Sequence, residues 1–228
     1  MLRDERVMKS KFYYLLPLLS LYLLSSCTQD AYDKGEGDFS RLLAEMGDGY
    51  TSADKKVTYF VTDDGTRHTV VNPFTSNLMP KADTTYRAVF YYVDNGTDVQ
   101  VNGLNRVLVI TPHQTDSIKA EAKTDPVKFE SLWMGKNKKY LNLSLYLKLG
   151  TAEDEEAVQK VACSLDSLHH NADGTHTACL TFLHDQAGVP QYYSQRVYFS
   201  IPLQSLRADS VSLSINTWQG LVTKRLKL

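Results

Sequence analysis

The stretch Tyr140-Leu141-Asn142-Leu143-Ser144-Leu145-Tyr146-Leu147-Lys148-Leu149 decides the fold. Leucine fills every odd position, and Tyr, Asn, Ser, Tyr and Lys fill the even ones. Successive side chains of a strand point to opposite faces. This period of two therefore describes a β-strand with one face on a core and the other in water. The alternation returns at Val197, Phe199 and Ile201 and again at Val211, Leu213 and Ile215. Further strands are expected at 127–134, 158–168, 175–183 and 221–228, with single helical turns at 203–206 and from 153. An antiparallel sandwich buries the apolar faces of such a set.

Upstream, strands are expected at 41–46, 56–62, 66–71, 85–93, 99–101 and 107–110. Asp63-Asp64-Gly65 and Asn95-Gly96 supply turn signals between them. Asn72-Pro73 and Met79-Pro80 imply a long connection over 72–83. Tyr86-Arg87-Ala88-Val89-Phe90-Tyr91-Tyr92-Val93 is apolar on both faces, which marks a central strand. Short strands at this spacing suit a small barrel such as an OB-fold. TPHQTDSIKAEAKTD (111–125) is polar, has no strand pattern and runs into Pro126, as a linker would.

The amino terminus carries a different signal. Arg3, Arg6, Lys9 and Lys11 precede an apolar run at 12–24, too short for the roughly 20 residues that cross a bilayer as a helix. It is a secretion leader, with Met1 or Met8 as its start. It ends in Leu24-Ser25-Ser26-Cys27, which resembles a bacterial lipobox, so Cys27 is the expected lipidation site. Acyl chains there would contribute about 0.8 kcal/mol per buried methylene to holding the protein on a membrane. TQDAYDKGEGD (28–38) is acidic and cannot bury enough apolar area to order itself, so it reads as a tether.

The expected organisation is thus all-β: signal peptide 1–26, flexible tether 27–38, OB-like β-barrel 39–111, linker 112–125 and antiparallel β-sandwich 126–228. A formal charge of -1 offers no basic field, so nucleic acid is not expected as a partner. Fourteen tyrosines against two tryptophans and twelve glycines favour strands, because aromatic rings fit a pleated, half-buried surface.

DPVKFESLWMGKNKKYLNLSLYLKL (125–149) and YFSIPLQSLRADSVSLSINTWQG (198–220) resemble the NigD-like lipoproteins of gut and oral Gram-negative anaerobes. That resemblance implies a lipobox leader, an N-terminal OB-type barrel and a C-terminal β-sandwich. It brings no catalytic residues, and its name implies only an association with bacteriocin genes. The expected location is the cell envelope, lipid-anchored and on the outer membrane, with the periplasmic and surface sides both open.

Few residues suggest chemistry. GxSxG, P-loop, GxGxxG, HExxH and EF-hand patterns are all absent from the sequence. No catalytic residue and no cofactor is expected. Asp63-Asp64 belongs to a turn, and the acidic run at 153–156 reads as a solvated face. Four histidines fall between 169 and 184. If residues 170 and 175 flank the turn, His169 and His176 oppose each other on one face, a candidate metal pair. Cys163 and Cys179 are expected on opposite faces of their strands and hence unpaired. Tyr140, Tyr146, Tyr192 and Tyr198 are a candidate exposed platform for a protein or glycan, since tyrosine joins apolar area to a polar tip. Asp116-Ser117-Ile118 resembles the O-glycosylation motif of the same anaerobes, with Ser117 as acceptor. The favoured role is a non-catalytic binding module held at the membrane by its lipid, its partner an envelope protein or glycan. A hydrolase or metal-binding enzyme and a bacteriocin-associated immunity protein are the alternatives.

Overall fold

The computed structural model describes residues 41–115, 122–151 and 157–228, and every regular element among them is a strand. Cys27, Ser117, the leader, the tether and the acidic run at 153–156 lie outside the described residues. The first five strands are β1 (Leu42–Thr51), β2 (Val57–Thr62), β3 (Arg67–Phe74), β4 (Thr84–Asp94) and β5 (Val99–Arg106). They close into a barrel in the order β1-β2-β3-β5-β4, with β4 pairing back on β1. This is five-stranded closure of the OB type.

The barrel is filled by Val57, Phe60, Phe90, Tyr92, Val99 and their neighbours. The rings of Phe60 and Phe90 stack with centroids 4.2 Å apart. Gly49 makes room for them, because a Cβ there would stand 2.5 Å from the Phe90 ring. β4 is apolar on both sides for two separate reasons. Ala88, Phe90 and Tyr92 fill the barrel, while Val89 packs outward with Met46 and Val107 against Trp133 and Tyr198.

The remaining strands are β6 (Leu108–Val109), β7 (Pro112–Gln114), β8 (Lys128–Met134), β9 (Tyr140–Leu149), β10 (Lys160–His170), β11 (His176–Asp185), β12 (Tyr193–Pro202), β13 (Ser210–Thr217) and β14 (Gly220–Lys227). One sheet runs β14-β13-β11-β10-β7 and the other β6-β12-β9-β8. Between them lies the main core, with Leu141, Leu143, Leu145 and Leu147 of β9 set among Phe182, Phe199, Leu213 and Ile215. Each such side chain contributes on the order of 1.5–3 kcal/mol by leaving water.

Three stretches differ from the sequence reading. Residues 107–110 do not close the barrel: β6 pairs in parallel with β12 at Phe199 and Ser200. The polar stretch after 111 is not only a connector, since its β7 pairs in parallel with β10. Both strands are two or three residues long at sheet edges, too short for a period of two to show. Third, β3 continues through Asn72-Pro73 to Phe74. Its pairing with β2 is irregular between Val57 and Tyr59, and proline is tolerated at such a disrupted ladder.

A fourth difference positions the candidate site. The even face of β9 is not in water: Asn142 and Ser144 are as buried as the leucines beside them. The outer face of the β6-β12-β9-β8 sheet is covered in part by the barrel, through β1 and β4.

Candidate functional site

Where barrel and sheet meet, the facing residues change along the strands. At one end Arg87 of β4 enters the sheet face with its side chain almost wholly buried. Its Nε donates to Ser200 Oγ at 3.1 Å. Its Nη2 donates to Asn142 Oδ1 at 3.1 Å and to Asp63 Oδ2 at 2.6 Å. Asn142 Nδ2 donates to the same Asp63 oxygen at 2.7 Å, and Ser200 donates to Asn142 at 2.8 Å. The guanidinium lies over the Tyr140 ring at 4.3 Å. Asp48 adds a second carboxylate 3.5 Å from Nη1, and Lys139 pairs with Asp48 from the sandwich side. The Arg87–Asp48 contact is an ion pair without hydrogen-bond geometry, which is why Asp48 Oδ1 remains unbonded although charged neighbours surround it. Asp63 Oδ1 is likewise buried without a hydrogen-bond partner. Buried charge costs several kcal/mol per ion unless it is paired, and here barrel and sandwich each supply part of the pairing.

At the other end the surfaces separate and leave a cleft of about 450 Å³. Met46, Val89 and Tyr91 of the barrel form one wall; Trp133 and Tyr198 of the sheet form the other. Glu45, Glu130 and Arg196 bring charge. Glu130 accepts from Arg196 Nη2 at 2.5 Å, from Tyr146 Oη at 3.3 Å and from the Ser144 hydroxyl. The Ser144 hydrogen bond, and after it the Arg196 charge, holds the Glu130 carboxyl below the usual carboxylate range against the opposing effect of burial. Glu45 accepts from Tyr92 Oη at 2.6 Å, and burial, reinforced by that bond, pushes the Tyr92 phenol up. Each carboxylate lining the cleft therefore already has a donor: Glu45, Asp63 and Glu130 alike. Such a cleft offers aromatic faces beside oriented polar groups.

The four tyrosines do not form one platform. Tyr198 lines the cleft and Tyr146 stands at its edge, donating to Glu130 and accepting from Arg196 at 2.8 Å. Tyr140 is half-buried under Arg87. Tyr192, 78% exposed, stands apart at the far end of β9, its N–H donating to Leu149 O at 2.9 Å. All four flank the same sheet, but the barrel takes Tyr140 out of reach.

The histidine register is also corrected. Asn171 N–H bonds Thr175 O at 2.8 Å around a three-residue turn in which Gly174 has φ +81°. His170 thus opposes His176, with ring centroids 4.4 Å apart, and His169 opposes Thr177. His169 and His176 fall on opposite faces, so they cannot share an ion; the extra turn residue in the left-handed region sets this register. His184 is buried, held by Asp125 O at 3.1 Å and Gln159 Oε1 at 3.2 Å. Among the described residues, no group of three or more His, Cys, Asp or Glu side chains could hold a metal. Cys163 is buried in the core and Cys179 half-exposed, both as free thiols.

The sequence reading missed Arg87 and Asp63. One signal for Arg87 was present, a lone cation inside an otherwise apolar strand. Asp63 gave none, because aspartate before Asp-Gly is what any turn presents.

A closed five-stranded barrel held by a polar lock on one face of a β-sandwich defines a two-part, all-β class of protein. The model for the NigD-like C-terminal beta sandwich domain matches residues 109–226, just over half of the chain, which therefore belongs to the NigD-like family. A NigD-like immunity protein from Bacteroides caccae is similar in fold, with 20% identity and a TM-score of 0.61 over 80% of this chain and 91% of that one. A Parabacteroides distasonis protein provisionally described as toxin-related has 17% identity and a TM-score of 0.62 over 82% and 93%. A Bacteroides fragilis protein provisionally described as a lipoprotein has 11% identity and a TM-score of 0.54 over 82% and 96%. No protein of curated function matches the chain.

Proposed function

We propose that this protein is a lipid-anchored component of the cell envelope that acts without catalysis, seating a partner in the cleft between barrel and sandwich. The observation that carries the reading is the cleft itself: aromatic walls from both parts, with each lining carboxylate already held by a donor. Aromatic surface beside a fixed Glu–Arg pair suits a ligand with an apolar face and hydrogen-bonding edges, such as a glycan or an extended protein segment. The leader and lipobox at Cys27 support an outer-membrane location. The neighbours described as an immunity protein and, provisionally, as toxin-related and as a lipoprotein fit an accessory role in the envelope. In the narrower form of this reading, the partner is a secreted toxin.

The test uses the full chain expressed in its own envelope. Cross-linked partners recovered with the wild type should be lost with Tyr198→Ser and Trp133→Ala, and retained with Tyr192→Ser, which lies away from the cleft. Equal recovery with all three variants would remove the cleft from the reading. Intact mass should show a lipid on Cys27, and Cys27→Ala should leave the membrane fraction; a bare Cys27 would end the anchoring proposal.

A further inference from the structure

The outer face of the β14-β13-β11-β10-β7 sheet carries a second concavity, independent of the cleft. Its floor follows from the register. Cys179 of β11 stands beside Ser212 of β13, which stands beside Arg225 of β14. One row along, His169 of β10 pairs with Thr177 and Thr177 with Ser210. These six side chains line most of a pocket of about 360 Å³.

The pocket has an unusual charge balance for a protein carrying nearly equal numbers of acids and bases. No carboxylate lines it. The three aspartates nearest in sequence are committed elsewhere. Asp166 accepts from Ser164, Thr181 and Thr115 at 2.5, 2.6 and 3.1 Å. Asp173 accepts from the backbone and hydroxyl of Thr175 at 3.0 and 2.6 Å. Asp209 accepts from the His176 backbone at 2.8 Å. The side chains of His169, Ser212 and Arg225 take part in no hydrogen bond or ion pair among the described residues. Thr177 and Ser210 share a 2.8 Å hydrogen bond that orients their hydroxyls.

An unengaged guanidinium, hydroxyl donors from two strands and an imidazole, with acid kept out, are what a tetrahedral oxyanion requires. The guanidinium fork matches two oxygens at once, and hydroxyls rotate to meet the remaining ones. We infer that this pocket binds a phosphate or sulfate group, with Arg225 as its principal ligand and Ser212, Thr177 and His169 as further donors. The volume exceeds that of the bare ion and leaves room for a small organic body attached to it.

Cys179 makes the site measurable. Its thiol is on the pocket floor, whereas Cys163 is sealed in the core, where burial pushes its thiol up to about 12. With Cys27 replaced by Ser, alkylation of the native chain therefore reports on Cys179, with Cys163 as an internal control that should stay unmodified.

The experiment titrates the full chain with inorganic phosphate, sulfate, glycerol phosphate and chloride at constant ionic strength, by calorimetry and by the rate of Cys179 alkylation. Phosphate and sulfate should give saturable heat and slow alkylation, and chloride should do neither. Arg225→Gln should weaken binding about tenfold or more, as loss of a charge-assisted pair requires. Arg225→Lys should fall between, keeping the charge without the fork. Arg225 is exposed on an edge strand, so both variants should fold. Tighter binding of glycerol phosphate than of inorganic phosphate assigns the pocket to esters; the reverse order assigns it to the free ion. An equal response to chloride, binding unchanged in Arg225→Gln, or alkylation indifferent to saturating phosphate would each overturn the site.

Discussion

The two faces of β9 are equally hidden and chemically opposite. Leu141, Leu143 and Leu145 are inaccessible on one side, and Asn142 and Ser144 are inaccessible on the other. The first face is closed by a second sheet of the same sandwich; the second by the barrel and by Glu130. Burial on the leucine face is driven by removal of apolar surface from water, and it tolerates some change of shape. Burial on the polar face depends on partners supplied across the junction: Arg87 meets Ser200, Asn142 and Asp63 there, while one oxygen each of Asp48 and Asp63 has no hydrogen bond. Two modules can therefore dock through polar residues, but the fit between them rests on a few directional contacts.

Arg87→Ala should produce the largest effect. It strands Asp63, Asn142 and Ser200 together in the junction, and loss of one partner of a buried ion pair costs about 3–5 kcal/mol. Urea denaturation measures it, and amide exchange of β1 and β4 should accelerate more than that of β13. A loss below about 1 kcal/mol would mean that the polar lock is ornamental to stability. Leu143→Ala should cost about 2–5 kcal/mol through the cavity it leaves, in the same assay, while leaving exchange in the barrel unchanged. If instead the barrel loosens as much as the sandwich, the two faces are not independent.

Gly135→Ala should have a smaller effect. A Cβ at that position stands 2.9 Å from Asp63 Cγ, so either Asp63 or the backbone at residue 135 must shift, disturbing the side chain that pairs with Arg87. Overpacking of this kind costs about 1–3 kcal/mol, and Asp63→Asn in the same background should show coupling in a double-mutant cycle.

The smallest effect concerns pH. Asp64 is held down to about 2, first by the Thr62 hydroxyl and then by the Thr66 backbone. A carboxylate depressed in the folded state stabilises above its unfolded value near 3.8 and loses that contribution as pH falls towards 2. Asp64→Asn should therefore flatten the stability profile between pH 4 and 2 and leave the slope at neutral pH unchanged. An acid limb identical to wild type would assign the loss to other carboxylates.

The leucine face was legible because a period of two is a property of the chain itself. So was the turn at Asp63-Asp64-Gly65, where Asp64 accepts from Thr66 N–H at 2.9 Å. The barrel was legible as a set of short strands, but its order was not, since closing β4 against β1 and β5 against β3 depends on contacts distant in sequence. The polar face reads as solvated, because Asn142, Ser144 and Tyr140 have the composition of a wet surface. Nothing local distinguishes asparagine facing water from asparagine facing a buried guanidinium. Tyr146 and Tyr198 were legible as candidates for the site, yet their separation from Tyr140 and Tyr192 follows from where the barrel docks.

The short strands β6 and β7 constrain how such proteins can be recombined. The chain leaving the barrel gives one edge strand to each sheet of the sandwich before β8 begins. A gene fusion cut at Pro126 would deliver a sandwich stripped of both borders, and an exchange of barrels at the same point would carry the donor's borders along with it. The workable seam lies upstream, near Val107, where the barrel's last ladder ends and the first border has yet to form.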